Sequence, residues 1–154
     1  MTTNEDFIRA AYRTAEGDVL DLEGWRNSFT EDGVFINKAA GESFKGDELP
    51  TVVTRFAGLF PDVHREVVRM RDMGDLVVVE VLIQGTFLGG PLPTPAGPLV
   101  ANGAKVNFPT SDWFDLRDGK IEKFTCYIEQ NVMFAQLGIN PDFASAVAKS
   151  AAAR

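Results

Sequence analysis

At 154 residues with 45% apolar side chains, the chain has the length of one domain, 1–154, and enough hydrophobic surface for a real core. A net charge of −7 argues against nucleic acid and anionic membrane surfaces as partners, and no apolar run approaches the roughly 20 residues that span a bilayer. One cysteine, Cys126, excludes an internal disulfide, and one histidine, His64, excludes a multi-histidine metal site. No glycine-rich phosphate loop is present, so the expected chemistry needs no nucleotide, metal or other cofactor. The acidic start has neither the basic nor the apolar region of a secretion signal, and a cytoplasmic location is expected.

In chain order, Asn4 to Glu16 reads as a helix, capped by Thr2 or Thr3 with Glu5 or Asp6 three positions on. Ile8, Tyr12 and Ala15 share one face of it. Leu22, Trp25 and Phe29 recur at helical spacing after the break at Gly17-Asp18. Thr30-Glu31-Asp32-Gly33 reads as a turn into a short strand, Val34 to Asn37. A third helix follows Gly46-Asp47, with Pro50 in its first turn and a stripe of Leu49, Val52, Val53, Phe56 and Leu59. Phe60-Pro61-Asp62 ends it.

From Val63 the pattern changes to strand. Val63 to Arg71 and Leu76 to Phe87 form a hairpin across Asp72-Met73-Gly74-Asp75. The stretch Gly89 to Pro98 is too rich in Gly and Pro for regular structure and reads as a long loop or lid. Lys105 to Leu116 and Ile121 to Glu129 form the last hairpin, turned at Arg117-Asp118-Gly119. A short amphipathic helix follows Pro141. The expected fold is α+β, three helices followed by a curled antiparallel sheet. Its central strands are apolar on both faces, so a homodimer through the face away from the helices is expected.

The strands also carry acids among apolar neighbours. A carboxylate buried without partners costs several kcal/mol, roughly, and its pKa rises, which makes a proton donor or base. Glu80, within Leu76 to Ile83, and Asp112, beside Trp113 and Phe114, are the first candidates. Glu80 has a competing role in an ion pair with Arg65, Arg69 or Arg71 of the neighbouring strand. Glu129 ends the last strand, Asn37 ends the first and competes as a turn residue, and His64 is a possible shuttle near neutral pH. Tyr12 and Tyr127 offer hydroxyls to a carbonyl. Trp25, Phe35, Phe56, Phe60, Trp113 and Phe124 supply an apolar lining or core. Cys126 reads as a small buried apolar residue.

The order Phe29-Thr30-Glu31-Asp32-Gly33-Val34, Phe60-Pro61-Asp62, Gly74-Asp75 before valines, Gly85-Thr86-Phe87-Leu88-Gly89, Asp118-Gly119-Lys120-Ile121 and Gln136-Leu137-Gly138 resembles the nuclear-transport-factor-2-like superfamily. That group includes ketosteroid isomerase, limonene epoxide hydrolase and SnoaL-like polyketide cyclases. The resemblance implies a cone-shaped, cystatin-like α+β barrel. Asp112 resembles the acid that ketosteroid isomerase keeps protonated as an oxyanion donor, which is the handling of a carboxyl group by an apolar site. Tyr12 lies on the helix that supplies that enzyme's oxyanion tyrosine, while Asn37 stands at its catalytic base. Phe35-Ile36-Asn37 resembles the water-positioning motif of the epoxide hydrolase, but Val78 and Cys126 replace two members of its relay. The histidine and last-strand acids typical of SnoaL-like cyclases are Phe87, Phe124 and Cys126 here, with Glu129 remaining. The resemblance implies a cofactor-independent isomerase, aldol-type cyclase or lyase acting on a hydrophobic carbonyl- or hydroxyl-bearing small molecule. A non-catalytic small-molecule binding or dimerisation module is the alternative.

Overall fold

Three of the helices begin where a side chain satisfies one of their free N–H groups, from Thr3, Asp21 and Asp142. In the computed structural model, which describes residues 2–154, Thr3 and Asp6 form a capping box at the start of α1 (Asn4–Thr14). Asp21 caps the six-residue α2 (Leu22–Asn27). A single 3-10 turn, Gly46–Glu48, leads into α3 (Pro50–Leu59), whose proline stands at a position that needs no donor. The strands are β1 (Phe29–Asn37), β2 (Glu42–Lys45), β3 (His64–Asp72), β4 (Leu76–Thr86), β5 (Leu92–Thr94), β6 (Gly97–Leu99), β7 (Lys105–Arg117) and β8 (Lys120–Ile128). Two helices, α4 (Gln130–Gln136) and α5 (Phe143–Ala152), complete the chain.

The main sheet runs β2-β1-β8-β7-β4-β3, antiparallel except where β1 lies parallel to β8. Its longest pairing joins β4 to β7, from Leu76 opposite Asp115 to Thr86 opposite Lys105. The β7–β8 hairpin turns at Asp118 and Gly119, both at positive φ (52° and 74°), which suits an aspartate-glycine turn. The expected curled, antiparallel-dominated α+β architecture is present.

Several local expectations differ: Phe29, at helical spacing after Trp25, opens β1 instead, and β2 and α4 are additional to the elements the sequence suggests. The stretch Thr30 to Gly33 is not a turn but the irregular first half of β1, where the register with β8 slips between Phe29 and Val34. The first helix stops at Thr14, two residues short of the expected end. The Gly- and Pro-rich stretch holds a small ribbon, β5 with β6, in which Pro93 faces Pro98. Two residues without N–H can face each other where the ladder requires no exchange of hydrogen bonds.

The core lies between the inner sheet face and the helices. Its fully buried large side chains include Phe29, Phe60, Phe87, Phe108, Phe114, Ile8 and Leu49. On β4 the residues Val77, Val79, Val81 and Ile83 point inward; on β7 Val106, Phe108, Thr110, Asp112 and Phe114 do. Gly17 ties the end of α1 to the start of β3: its N–H donates to Val63 O at 2.8 Å, and a Cβ there would overlap the Pro61 carbonyl. This crossing brings Ala15 and Glu16 against His64 and Arg65.

Candidate active site

Strand parity places Asp112 on the inner face of β7, between Val79 of β4 and Cys126 of β8. Tyr12, at a buried position of α1, reaches the same point from across the core. Its hydroxyl donates to Asp112 Oδ2 at 2.6 Å, a buried bond between residues 100 apart in sequence. The Tyr12 ring meets Phe114 edge-on, with centroids 5.6 Å apart. Beyond it Phe114, Phe124 and Phe35 pack in succession at 4.1 and 4.8 Å, and Trp25 closes on Phe124 at 6.1 Å. The aromatic side therefore gives the acid an apolar wall.

Asp112 is only 3% exposed, and burial pushes its carboxyl from the ordinary 3.8 up to about 6. The Tyr12 hydrogen bond, the Cys126 thiol and the Arg65 charge oppose that rise without cancelling it. Burial, then the Asp112 charge, drives the Tyr12 hydroxyl well above its usual value. Burial likewise raises the Cys126 thiol, which keeps it protonated and inert. Asp112 is thus the member of this cluster that exchanges a proton near neutral pH. Because Oδ2 accepts from Tyr12, the titrating proton belongs on Oδ1.

Oδ1 has no hydrogen-bond partner, and neither does the buried Thr110 hydroxyl two residues along the same strand face. Cys126 lies against the carboxylate but makes no well-formed hydrogen bond to it. Among the described residues these are the two buried side-chain polar atoms left unpaired. A buried acid with one oxygen unpaired on an inner strand face is a functional-site candidate.

A second polar group adjoins Tyr12. Glu16 is 5% exposed and accepts from the Arg65 backbone N–H at 3.1 and 3.2 Å. His64 Nδ1 stands 2.9 Å from Glu16 Oε1, and Arg65 Nη1 donates to Ala15 O at 2.9 Å. These residues, with Arg9, Arg13, Tyr12, Glu66 and Val67, line a cleft of about 260 Å³.

The other sequence candidates lie elsewhere. Glu80 faces outward, because Val79 and Val81 take the inner parity. Its carboxylate is half exposed and paired with Arg69 at 3.0 Å, the competing role named for it, so the expectation that it reaches the interior is corrected. Trp113 and Tyr127 share that outer face, 40% and 47% exposed with rings 6.5 Å apart, and line no interior space. Glu129 is exposed just past β8, where its backbone N–H donates to Pro109 O. Asn37 stands beside Cys126 in register, but its Oδ1 accepts from the Ala40 N–H, so it acts as a turn residue. Trp25, Phe35, Phe60 and Phe124 are core, and Trp25 Nε1 donates to Leu49 O at 3.0 Å. Phe56 is half-buried against the same core. Sequence reasoning missed Glu16, Arg65 and Thr110 as site residues. The signal for Arg65 was its alternation with Val63, buried just before β3, and the half-buried Val67; Thr110 shares parity with Asp112.

A model of the SnoaL-like domain matches residues 7–124. The chain belongs to the SnoaL-like family. No curated protein sequence matches it. Among solved structures this SnoaL-like chain is similar to AclR of Streptomyces galilaeus, a proposed hydroxylase. That match has a TM-score of 0.75 at 19% identity and covers 98% of this chain and 97% of AclR. IdmH of Streptomyces antibioticus, a proposed polyketide cyclase, gives 0.74 at 22% identity over 88% of this chain and 99% of its own. A ketosteroid isomerase-like protein of Catenulispora acidiphila, in complex with trimethylamine, gives 0.72 at 19% identity over 90% and 96%. At these identities the likeness establishes the shared fold, and the site must be read from this chain's own residues. Among the described residues of this SnoaL-like chain, no helix is long and apolar enough to cross a membrane.

Proposed function

We propose that the protein is a cofactor-independent acid–base enzyme that activates a carbonyl of a hydrophobic small molecule, in reactions of the isomerase, aldol-type cyclase or lyase kind. The observation that carries this reading is the buried Tyr12–Asp112 pair, with Oδ2 engaged by the tyrosine and Oδ1 free. The protonated carboxyl donates from Oδ1 to the substrate oxygen and stabilises the charge that grows there. With burial holding the carboxyl at about 6, the protonated donor form is the major one below that pH. Tyr12 fixes the carboxyl's orientation through its own donated bond.

The proton leaving the substrate carbon goes to His64. Its Nδ1 is held on Glu16 Oε1, which leaves Nε2 as the acceptor, and both residues line the cleft that Tyr12 borders. The two groups work without a metal or cofactor. The assay needs no natural substrate. In D2O, an aryl ketone such as 2-acetylnaphthalene exchanges the hydrogens beside its carbonyl when an enzyme enolises it, and NMR follows the loss. The wild type is expected to exceed buffer alone, and Tyr12→Phe and Asp112→Asn each to lose roughly 10²-fold. Exchange no faster than in buffer, or full activity in both variants, refutes the reading.

A further inference from the structure

Arg65 is a buried cation with spare hydrogen-bonding capacity beside the proposed acid. Its side chain is 9% exposed. A guanidinium carries five N–H donors, and among the described residues its hydrogen bond to a partner is the one from Nη1 to Ala15 O. Glu16 Oε2 stands 4.0 Å from Nη1, too far for a hydrogen bond, and both Glu16 oxygens already accept from the Arg65 backbone. The Arg65 side chain forms part of the wall of the cleft that Tyr12 and His64 line.

The cleft lining carries one more cation than anion, His64 taken as neutral. Three arginines and two glutamates line the cleft, on a chain whose net charge is −7. Glu16 is held by His64 and Arg65, and Glu66 accepts from Gln84 Nε2 at 2.8 Å. Arg13 leans away to Asp18 at 3.2 Å. Arg9, one turn before Arg13 on α1, makes no ion pair with any described residue. Arg65, mostly buried, and Arg9, exposed, thus both line the cleft that Tyr12 borders. A planar fork of donors suits a carboxylate, which it binds with two parallel hydrogen bonds.

We infer that the substrate carries a carboxylate in addition to its reacting carbonyl, with Arg65 binding that carboxylate and Arg9 attracting it at the cleft mouth. The inference rests on the acid–base reading of the same site and names the substrate class: hydrophobic keto acids. An anion arriving there gives the guanidinium donors not used on Ala15 a charged partner in a mostly buried position, where such a pair is stronger than in open water.

The test uses 3-acetylbenzoate and its neutral counterpart 3-acetylbenzamide, which share the ketone and ring and differ in charge. Calorimetric titration of the wild type is expected to show at least about tenfold tighter binding of the carboxylate, the scale of a charge-assisted pair. Arg65→Lys keeps the charge but loses the fork, and is expected to weaken the carboxylate about five- to tenfold while leaving the amide unchanged. Arg9→Gln, on the exposed surface, is expected to cost about threefold and to flatten the salt dependence. The inference is overturned if the carboxylate binds no tighter than the amide, if it does not bind, or if both variants weaken the two probes equally. Tyr12→Phe separates the two ideas. It should weaken both probes through the ketone; indifference there refutes the acid–base reading while a surviving carboxylate preference leaves the arginine assignment standing.

Discussion

Replacing Asp112 by asparagine is expected to make the protein more stable at neutral pH while abolishing its acid. The carboxyl titrates near 3.8 when exposed and at about 6 in the folded chain. Between those values the native state holds the proton more tightly than the unfolded chain. Stability therefore falls as pH rises through that window, because folding must bury a charge. At 1.36 kcal/mol per pH unit the full loss is about 3 kcal/mol, and about 1.4 kcal/mol of it falls between pH 5 and pH 8. Asparagine keeps an acceptor for the Tyr12 hydroxyl and never charges. Its amide does place an unpaired donor where Oδ1 now lies, a cost of about 1–3 kcal/mol that does not vary with pH. The decisive quantity is therefore the difference between variant and wild type as a function of pH. Urea unfolding followed by the fluorescence of Trp25 and Trp113, at steps from pH 5 to pH 8, measures it. The variant should gain about 1.4 kcal/mol on the wild type across that range. A flat difference, or one that falls as pH rises, refutes the claim that burial has raised this carboxyl.

Three further outcomes are expected. Glu80→Gln should leave turnover intact and change stability by no more than about 1 kcal/mol, because its ion pair with Arg69 is solvent-exposed on the outer face; deuterium exchange and urea unfolding check both. Gly17→Ala should lower the thermal midpoint by several degrees, because a methyl group there meets the Pro61 carbonyl and pushes Glu16 away from His64 and Arg65; calorimetry would show no change if that crossing were slack. We also propose that the outer sheet face, where Trp113 and Tyr127 stand exposed among half-buried Val78 and Leu82, packs on a second copy of the chain. Sedimentation should then find a dimer at micromolar concentration that Trp113→Glu dissociates, and a wild-type monomer under those conditions removes the proposal.

The alternation of apolar residues, the Asp118-Gly119 turn and the Thr3–Asp6 capping box were readable because each is local: a few neighbouring residues decide the backbone there. Asp112 and Tyr12 were readable as candidates because an acid and a phenol at apolar positions stand out along the chain. The Gly- and Pro-rich ribbon was not, since Pro93 opposite Pro98 depends on a pairing that composition does not announce. Glu80 shows the limit of periodicity. A strand apolar at every position but one has two faces of similar hydropathy, so alternation alone does not say which turns inward. The helices settle it by covering the Val79 and Val81 side, which leaves Glu80 to Arg69.

What the sequence by itself determined is most of the elements, without β2, α4 or the β5–β6 ribbon, and the kinds of groups available, because propensity, capping and turn chemistry act over a few residues. What only the tertiary structure decided is which groups share one desolvated space. Tyr12 meets Asp112 across 100 residues, and Arg65 meets Glu16 across 49, only after α1 is pinned to β3 at Gly17 and packed on the inner sheet face. Burial, hydrogen bonding and charge then set the proton affinity of Asp112 together, and each of these depends on distances that only the packed chain defines.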